Sequence, residues 1–471
     1  MQPKNLAFGG GAGETMLHPL IALWMLIAII LILTTPREKI ITPFLLSFFT
    51  IPITQVVLIG PLHFPVLRIL ILAGLGRMAR EGMTKKNAFP GGFNGLDRVA
   101  ILWTVSSLVI VSLQWMDPQG LIKFIGDFMD SLGGYLVVRF LVRDREAVRR
   151  AIAALAWVGL IQGLCMVSEQ FTHQNVFAMF GENQPTFRNG KIRSEGGLGT
   201  LFGGTFAGLQ VPLFIWLWGE KKYKVAAATG LLGVTMMVWA SHASTSWLAY
   251  GSGLLGLSFW FLRKKMRFIR IGLVAVLVVL HLVMNGPVWS LIAKIDLTGG
   301  SSSYHRYYLV DNCIRHFSDW WLLGYRYYGR WGMDMWDLCD QWVVCALTGG
   351  LITLVLFIMI YTRSFSLIGK TRKQVQGDRK QEWRLWCLGS ILFANVVASF
   401  GINYMIQLQV LLFIFVAFVS IAVTESKKTE RLPKAQKISS SPLVTRQLQE
   451  AYAVATYPKM PRQSPSKQVI F

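Results

Sequence analysis

The chain has 471 residues, 53% of them hydrophobic and only 15% charged, with a mean hydropathy of +0.46. Soluble domains carry roughly 25% charged residues, so a water-facing surface is not covered; the same numbers, with five cysteines, exclude disorder, a coiled coil and a secreted disulfide scaffold. Lys and Arg total 47 against 24 acids, a formal charge of +23, which in a soluble protein would suggest nucleic acid and in a membrane protein turns on where the charge sits.

Taken in chain order, apolar runs of membrane-crossing length fall at 17–35, 42–60, 99–115, 121–142, 151–168, 202–218, 225–241, 246–262, 271–286, 341–362, 387–402 and 408–424. A helix needs about 20 such residues to cross about 30 Å of hydrocarbon. The runs are too continuous for barrel alternation, and lipid admits only helices or closed barrels. The expectation is an all-α, polytopic integral membrane protein of 12 transmembrane helices, or 13 if the short apolar stretch 65–76, which contains Arg68, is a half-span and not an interfacial segment. The first run ends in Thr34, Thr35, Pro36 and Arg37 with no small-residue cleavage motif, and is expected to be a retained helix.

Basic residues in short loops stay on the cytoplasmic side. The segments 76–98, 143–150, 219–224, 263–270, 363–384 and 425–471 hold 33 of the 47 and alternate with the spans, whereas 116–120, 169–201, 242–245, 287–340 and 403–407 hold eight. Polarity is thereby predicted from residue 76 onward, with a cytoplasmic C-terminus. The side of the N-terminus depends on the span count. Three regions follow: N-terminal helices and a basic loop over 1–98, a transmembrane core over 99–424 that includes an outer loop 287–340, and a basic tail over 425–471. The tail is rich in Lys, Ser, Pro and Gln without periodicity and is expected to be disordered and close to anionic lipid. Most of the charge therefore sets topology, and nucleic acid is not an expected partner.

The two long outer segments carry the positive charge that runs against this rule. The first, 169–201, delivers Arg188, Lys191 and Arg193 to a Gly-rich stretch before the next span; the second, 287–340, holds Arg306, Arg315, Arg326 and Arg330 among six acids, with His305, His316 and many Trp and Tyr. Arginine offers a planar fork that matches phosphate, as a lipid-linked diphosphate at the outer face would require. Ion pairing within the loop is the other reading. In the span 121–142, Asp127 and Asp130 share a helix face with Lys123 nearby and Arg139 further on. They either line an acceptor groove or pair with Arg68 or Arg139 to fix packing. The aromatics serve either as interfacial anchors or as stacking surfaces for sugars. No metal-ligand spacing and no nucleotide-binding loop occur, so neither a metal nor a cofactor is predicted. A Cys313–Cys339 disulfide is one option in an oxidising compartment.

Four segments resemble, in order, the O-antigen ligase and polymerase superfamily of bacterial membrane proteins. Arg193-Ser-Glu-Gly-Gly-Leu-Gly, before a span containing Pro212, is similar to its first arginine segment. Ser241-His-Ala-Ser-Thr-Ser-Trp-Leu-Ala resembles its Ser-rich turn. Gly299-Gly-Ser-Ser-Ser-Tyr-His-Arg306 with Phe317-Ser-Asp-Trp-Trp-Leu-Leu-Gly324 resembles its second arginine segment, and Thr348-Gly-Gly-Leu-Ile-Thr-Leu-Val-Leu-Phe the helix start that closes the large loop. The resemblance covers 99–424. It implies a GT-C-like, metal-independent membrane glycosyltransferase of the bacterial inner membrane, which moves or polymerises a glycan from an undecaprenyl diphosphate carrier onto a saccharide acceptor at the periplasmic face, alongside other polysaccharide-assembly proteins. Carried over by position, Arg193 and Arg306 stabilise the leaving diphosphate, with Arg188, Lys191 and the backbone of Gly196 and Gly197 as further phosphate contacts and His316 and Arg315 nearby. The family's histidine, about eleven residues before the Gly that opens the closing helix, is Cys339 here, with Asp340 next to it. The candidate bases are therefore Asp340, Cys339, His305 and His316. The rival reading is a non-catalytic membrane protein, either a transporter of lipid-linked glycan or an assembly scaffold.

Overall fold

A computed structural model describes residues 15–59, 62–82, 89, 91–295, 297 and 302–431. The predicted tail from residue 432, part of the basic loop at 83–88 and 90, and Gly299, Gly300 and Ser301 of the second arginine segment lie outside the described residues. The fold is helical: α1 (Pro19–Thr34), α2 (Ile41–Thr50), α3 (Val66–Gly82), α4 (Gly95–Trp115), α5 (Pro118–Phe128), α6 (Gly134–Leu141), α7 (Arg145–Thr172), α8 (Thr200–Trp218), α9 (Lys224–Ser241), α10 (Ser244–Ser258), α11 (Met266–Val283), α12 (Ser303–Arg315), α13 (Phe317–Trp320), α14 (Gln341–Gln374), α15 (Arg379–Ala398) and α16 (Ile406–Arg431). Seven of these, α4, α7, α8, α9 with the turn before it, α11, α14 and α16, are long and apolar enough to cross a membrane. The other predicted spans are shorter, more polar or broken.

The run 42–60 is the clearest correction. It is not one helix: α2 ends at Thr50 because Pro52 disfavours the helical conformation at the residue before it, and Ile51 is extended. The β-branched stretch that follows forms β2 (Gln55–Ile59), which pairs in parallel with β1 (Thr15–Met16) and antiparallel with β3 (Leu62–Pro65), Val56 opposite Pro65 and Ile59 opposite Leu62. The run 65–76 is then a full 17-residue helix, α3. The run 121–142 is helical throughout but passes through a π turn at Met129–Gly133 between α5 and α6.

The core is built around α8, which packs on α7, α9, α10 and α15. α7 and α9 approach so closely that a Cβ on Gly163 would lie 2.6 Å from the Gly233 carbonyl oxygen, the small-residue contact by which membrane helices associate. At the other extreme, α11 buries no residue at all.

One buried ion pair joins α4 to α6. Asp97, in the first turn of α4, forms a capping box with Asn94. It also accepts from Arg139 Nε at 2.9 Å and from the Tyr135 hydroxyl, both on α6, and all three side chains are buried. Removing one member of such a pair costs about 3–5 kcal/mol, whereas replacing both by apolar groups costs little. Asp97→Ala is thus expected to lower the thermal stability of the detergent-solubilised protein strongly and Asp97→Leu with Arg139→Met much less. Equal melting of the two variants would show that the pair does not hold α4 to α6.

Candidate functional site

The segment 169–201 folds into a hairpin, β4 (Thr186–Arg188) and β5 (Lys191–Arg193), with Thr186 opposite Arg193. Its two turn residues, Asn189 and Gly190, have φ of 50° and 70°, the left-handed pair that a two-residue hairpin turn requires and that Asn-Gly supplies. The hairpin thus carries Arg188, Lys191 and Arg193 as a unit. Past Arg193 the chain is pinned. Ser194 donates its N–H to the Ala240 carbonyl (3.1 Å) and its hydroxyl to the Met166 carbonyl (2.7 Å). The Gln170 amide donates to Ser194 Oγ (2.7 Å) and to the carbonyls of Ala240 (3.0 Å) and Ile192 (3.1 Å).

Gly196 and Gly197 do not offer their backbone to a phosphate. The Gly196 N–H donates to Glu169 Oε1 (2.8 Å), the Glu195 N–H to Glu169 Oε2 (2.7 Å) and the Gly197 N–H to Gln162 Oε1 (2.9 Å). The glycines let the loop lie on α7 and spend their donors there.

Arg306 lies in the first turn of α12 with 9% of its surface exposed. Its Nη2 donates to Thr245 Oγ1 at 3.0 Å, and the Thr245 hydroxyl donates to the Gly401 carbonyl at 3.1 Å. The Ser-rich turn between α9 and α10 therefore holds the second arginine. Its neighbour Ala240 holds the strand of the first. Arg188 and Arg306 both act on Arg193: burial first, then these two positive charges, push its guanidinium below the ordinary arginine value, and Glu195 opposes them. Among the described residues neither Arg193 nor Arg306 forms an ion pair, and each has a buried Nε without a hydrogen-bond partner.

Asp340 is fully buried at the start of α14. Oδ1 caps the helix, accepting from the N–H groups of Trp342 (2.8 Å) and Val343 (3.1 Å), while the buried Oδ2 has no partner. Burial pushes its carboxyl up to about 7 against those two N–H groups and the Arg306 charge. Burial also pushes the Cys339 thiol up to about 11, so that at neutral pH it carries little thiolate, although the Arg306 charge works the other way. Cys313 and Cys339 are free thiols and no disulfide joins them; Cys313 is buried in a small core that the 287–340 loop forms with the start of α14.

Several predicted site residues are engaged elsewhere. Arg315 pairs with Asp311 one helical turn away (2.6 Å), and Asp311 also accepts from Trp289 Nε1 (3.0 Å). His316 Nδ1 is 3.0 Å from the Asn312 carbonyl, and its ring stacks on Trp331 with centroids 4.6 Å apart. These contacts build the loop itself. His305 Nε2 lies 2.9 Å from the Asp337 carbonyl oxygen, tying α12 to the segment that leads to Asp340. Asp130 takes the structural alternative: it grips Arg68 through two bonds, 2.9 Å to Nε and 2.6 Å to Nη2, while Arg139 goes to Asp97. Asp127 is exposed beside Lys123. Sequence reasoning missed Thr245, Gln162, Glu169 and Gln170. The last three lie seven and one residues apart along one apolar helix, a polar stripe at helical spacing that the run 151–168 stopped short of including in full.

The raised Cys339 thiol gives a direct check on this environment. In a chain with its other cysteines replaced by Ser, alkylation of Cys339 is expected to be slow at pH 7 and to keep accelerating beyond pH 9, since the thiolate is the reacting form. A rate that levels off below pH 9 would place the thiol in a different setting. Against known protein families and against curated proteins, the chain finds no match.

Proposed function

We propose that the chain is a membrane glycosyltransferase of the O-antigen ligase and polymerase type, acting in envelope or exopolysaccharide biosynthesis at the periplasmic face of a bacterial inner membrane. In this reading it crosses the membrane about 12 times with a cytoplasmic C-terminus, and its helical core is GT-C-like. The observation that carries the reading is a half-buried and a buried arginine, Arg193 from a hairpin and Arg306 from a loop helix, each with a buried Nε that has no hydrogen-bond partner and neither paired with a carboxylate among the described residues. Positive charge kept in a low-dielectric site without a counter-ion is preorganised for an anionic ligand. A buried carboxyl with one unpartnered oxygen, Asp340, lies within reach of the Arg306 charge.

The chemistry follows. An acceptor hydroxyl oxygen attacks the anomeric carbon of the carrier-linked sugar and its proton passes to Asp340 Oδ2. The bond between that carbon and the diphosphate oxygen breaks, and the negative charge left on the diphosphate is held by Arg193 and Arg306, with Arg188 and Lys191 at the rim. A base works best with a pKa near the operating pH, which favours Asp340 at about 7 over Cys339 at about 11.

A reconstituted transfer assay with an undecaprenyl diphosphate-linked glycan tests this. Arg193→Ala and Arg306→Ala are each expected to lower turnover by roughly 100-fold or more, the usual loss for a group that stabilises developing charge, and Asp340→Asn to abolish it. Because the raised carboxyl must lose its proton to act as a base, wild-type turnover should rise as pH increases through about 7. Transfer at wild-type level in either alanine variant would remove that arginine from the mechanism, and a turnover flat between pH 5 and 8 would remove Asp340.

A further inference from the structure

The end of the bundle opposite this mouth gathers a second group of arginines. α10 begins next to Thr245 and α14 begins at Asp340, so the far ends of these two helices meet on the other side of the bundle. Arg263, one turn beyond α10, lies over the Trp260 ring at 4.1 Å and pairs with Glu382 at 3.4 Å. Arg372, in the last turn of α14, donates to the Arg263 carbonyl at 2.9 Å and lies over Trp386 at 5.3 Å. Arg270, near the start of α11, is exposed, and its charge and that of Arg263 both act on Arg372. Glu382 acts on Arg372 with the opposite sign, and it also accepts from Arg263 and from the Gly377 N–H at 3.0 Å. Arg263 and Arg372 thus share one carboxylate, with the exposed Arg270 adding a third positive charge beside them.

Beside them stands α11. Between Ile271 and Leu280 it is apolar on every face, none of its residues is buried, and Phe268, Ile271, Val274 and Leu277 are all exposed. A helix that is hydrophobic on every face needs apolar surroundings. A basic cluster at the foot of a bare apolar helix matches a ligand with an anionic head and hydrocarbon chains. Solvated topology charges look different: Lys264 and Lys265 are exposed, whereas Arg263 and Arg372 are half-buried and stacked on tryptophans, and arginine is the side chain that binds phosphate through a fork of donors.

We propose that Arg263, Arg270 and Arg372 bind the phosphate of one anionic phospholipid whose acyl chains lie along α11. This inference is independent of the glycosyltransferase reading. The test is native mass spectrometry of the full chain released from nanodiscs of equimolar phosphatidylglycerol and phosphatidylcholine. The wild type is expected to retain phosphatidylglycerol in preference to phosphatidylcholine. Arg263→Ala and Arg372→Ala should each weaken that retention about fivefold, the worth of one basic side chain at a lipid surface. Arg372→Lys should recover part of it, and Lys264→Ala should change it least. Equal retention of the two lipids, or retention indifferent to the arginine variants, overturns the proposal. So does displacement of the lipid by millimolar inorganic phosphate, which would mark a small-anion site. If the alanine variants do not fold, Glu382→Gln decides: removing the competing carboxylate should increase phosphatidylglycerol retention, and no increase rejects the site.

Discussion

Two arginines, Arg193 half-buried and Arg306 buried, neither paired with a carboxylate among the described residues, constrain the segments around them. Such charges repel each other strongly in a low-dielectric setting, so the scaffold that keeps Arg193 and Arg306 together must be stiff. It is made from hydrogen bonds between distant segments: Gln170 and Ser194 clamp the strand of Arg193 to the end of α9, and Thr245 clamps Arg306 to the loop after α15. The Ser-rich turn from Ser241 to Ser246 stands between both clamps. A single short turn therefore sets the separation of two arginines that are 113 residues apart in the chain.

The same economy explains why the glycines of 196–199 matter without touching a ligand. Glu169 and Gln162 are buried side chains that need donors, and an unpaired buried acceptor costs about 1–3 kcal/mol. The Gly-rich loop supplies those donors from its backbone, and with Gly196 at φ 59° it can fold flat enough on α7 to do so. Loop and helix satisfy each other, and the arginine strand is positioned as a result.

How much of this was legible in the sequence depends on the kind of signal. Long apolar runs such as 99–115 and 202–218 mark α4 and α8 to within a few residues, because burial in lipid leaves little room for alternatives. The run 42–60 misleads, since hydropathy does not distinguish a helix from a short helix plus a paired strand; Pro52 and the stretch Gln55–Ile59 held that information in a different form. At the site, residue type identified Arg193, Arg306 and Asp340 as candidates. Their surroundings were not legible. Thr245 and Gln170 act through contacts between distant segments, and no spacing rule links Thr245 to Arg306. The partner of Asp130 was open between two arginines in sequence and is resolved by the π turn that presents it to Arg68.

A break inside α14 fixes how the helix presents Asp340. The helix runs for 34 residues but breaks at Gly350, whose φ of 65° and ψ of −167° leave the helical region. A side chain there would drive a Cβ to 2.6 Å from the Leu322 carbonyl oxygen, so the break is also where the outer loop's Trp320–Gly324 stretch rests on the helix. The limb beyond the break, 351–374, is about 36 Å long at 1.5 Å per residue, enough by itself to cover about 30 Å of hydrocarbon. The first limb is left over. That limb carries Asp340 at its tip, where the surrounding protein leaves the side chain no exposed surface.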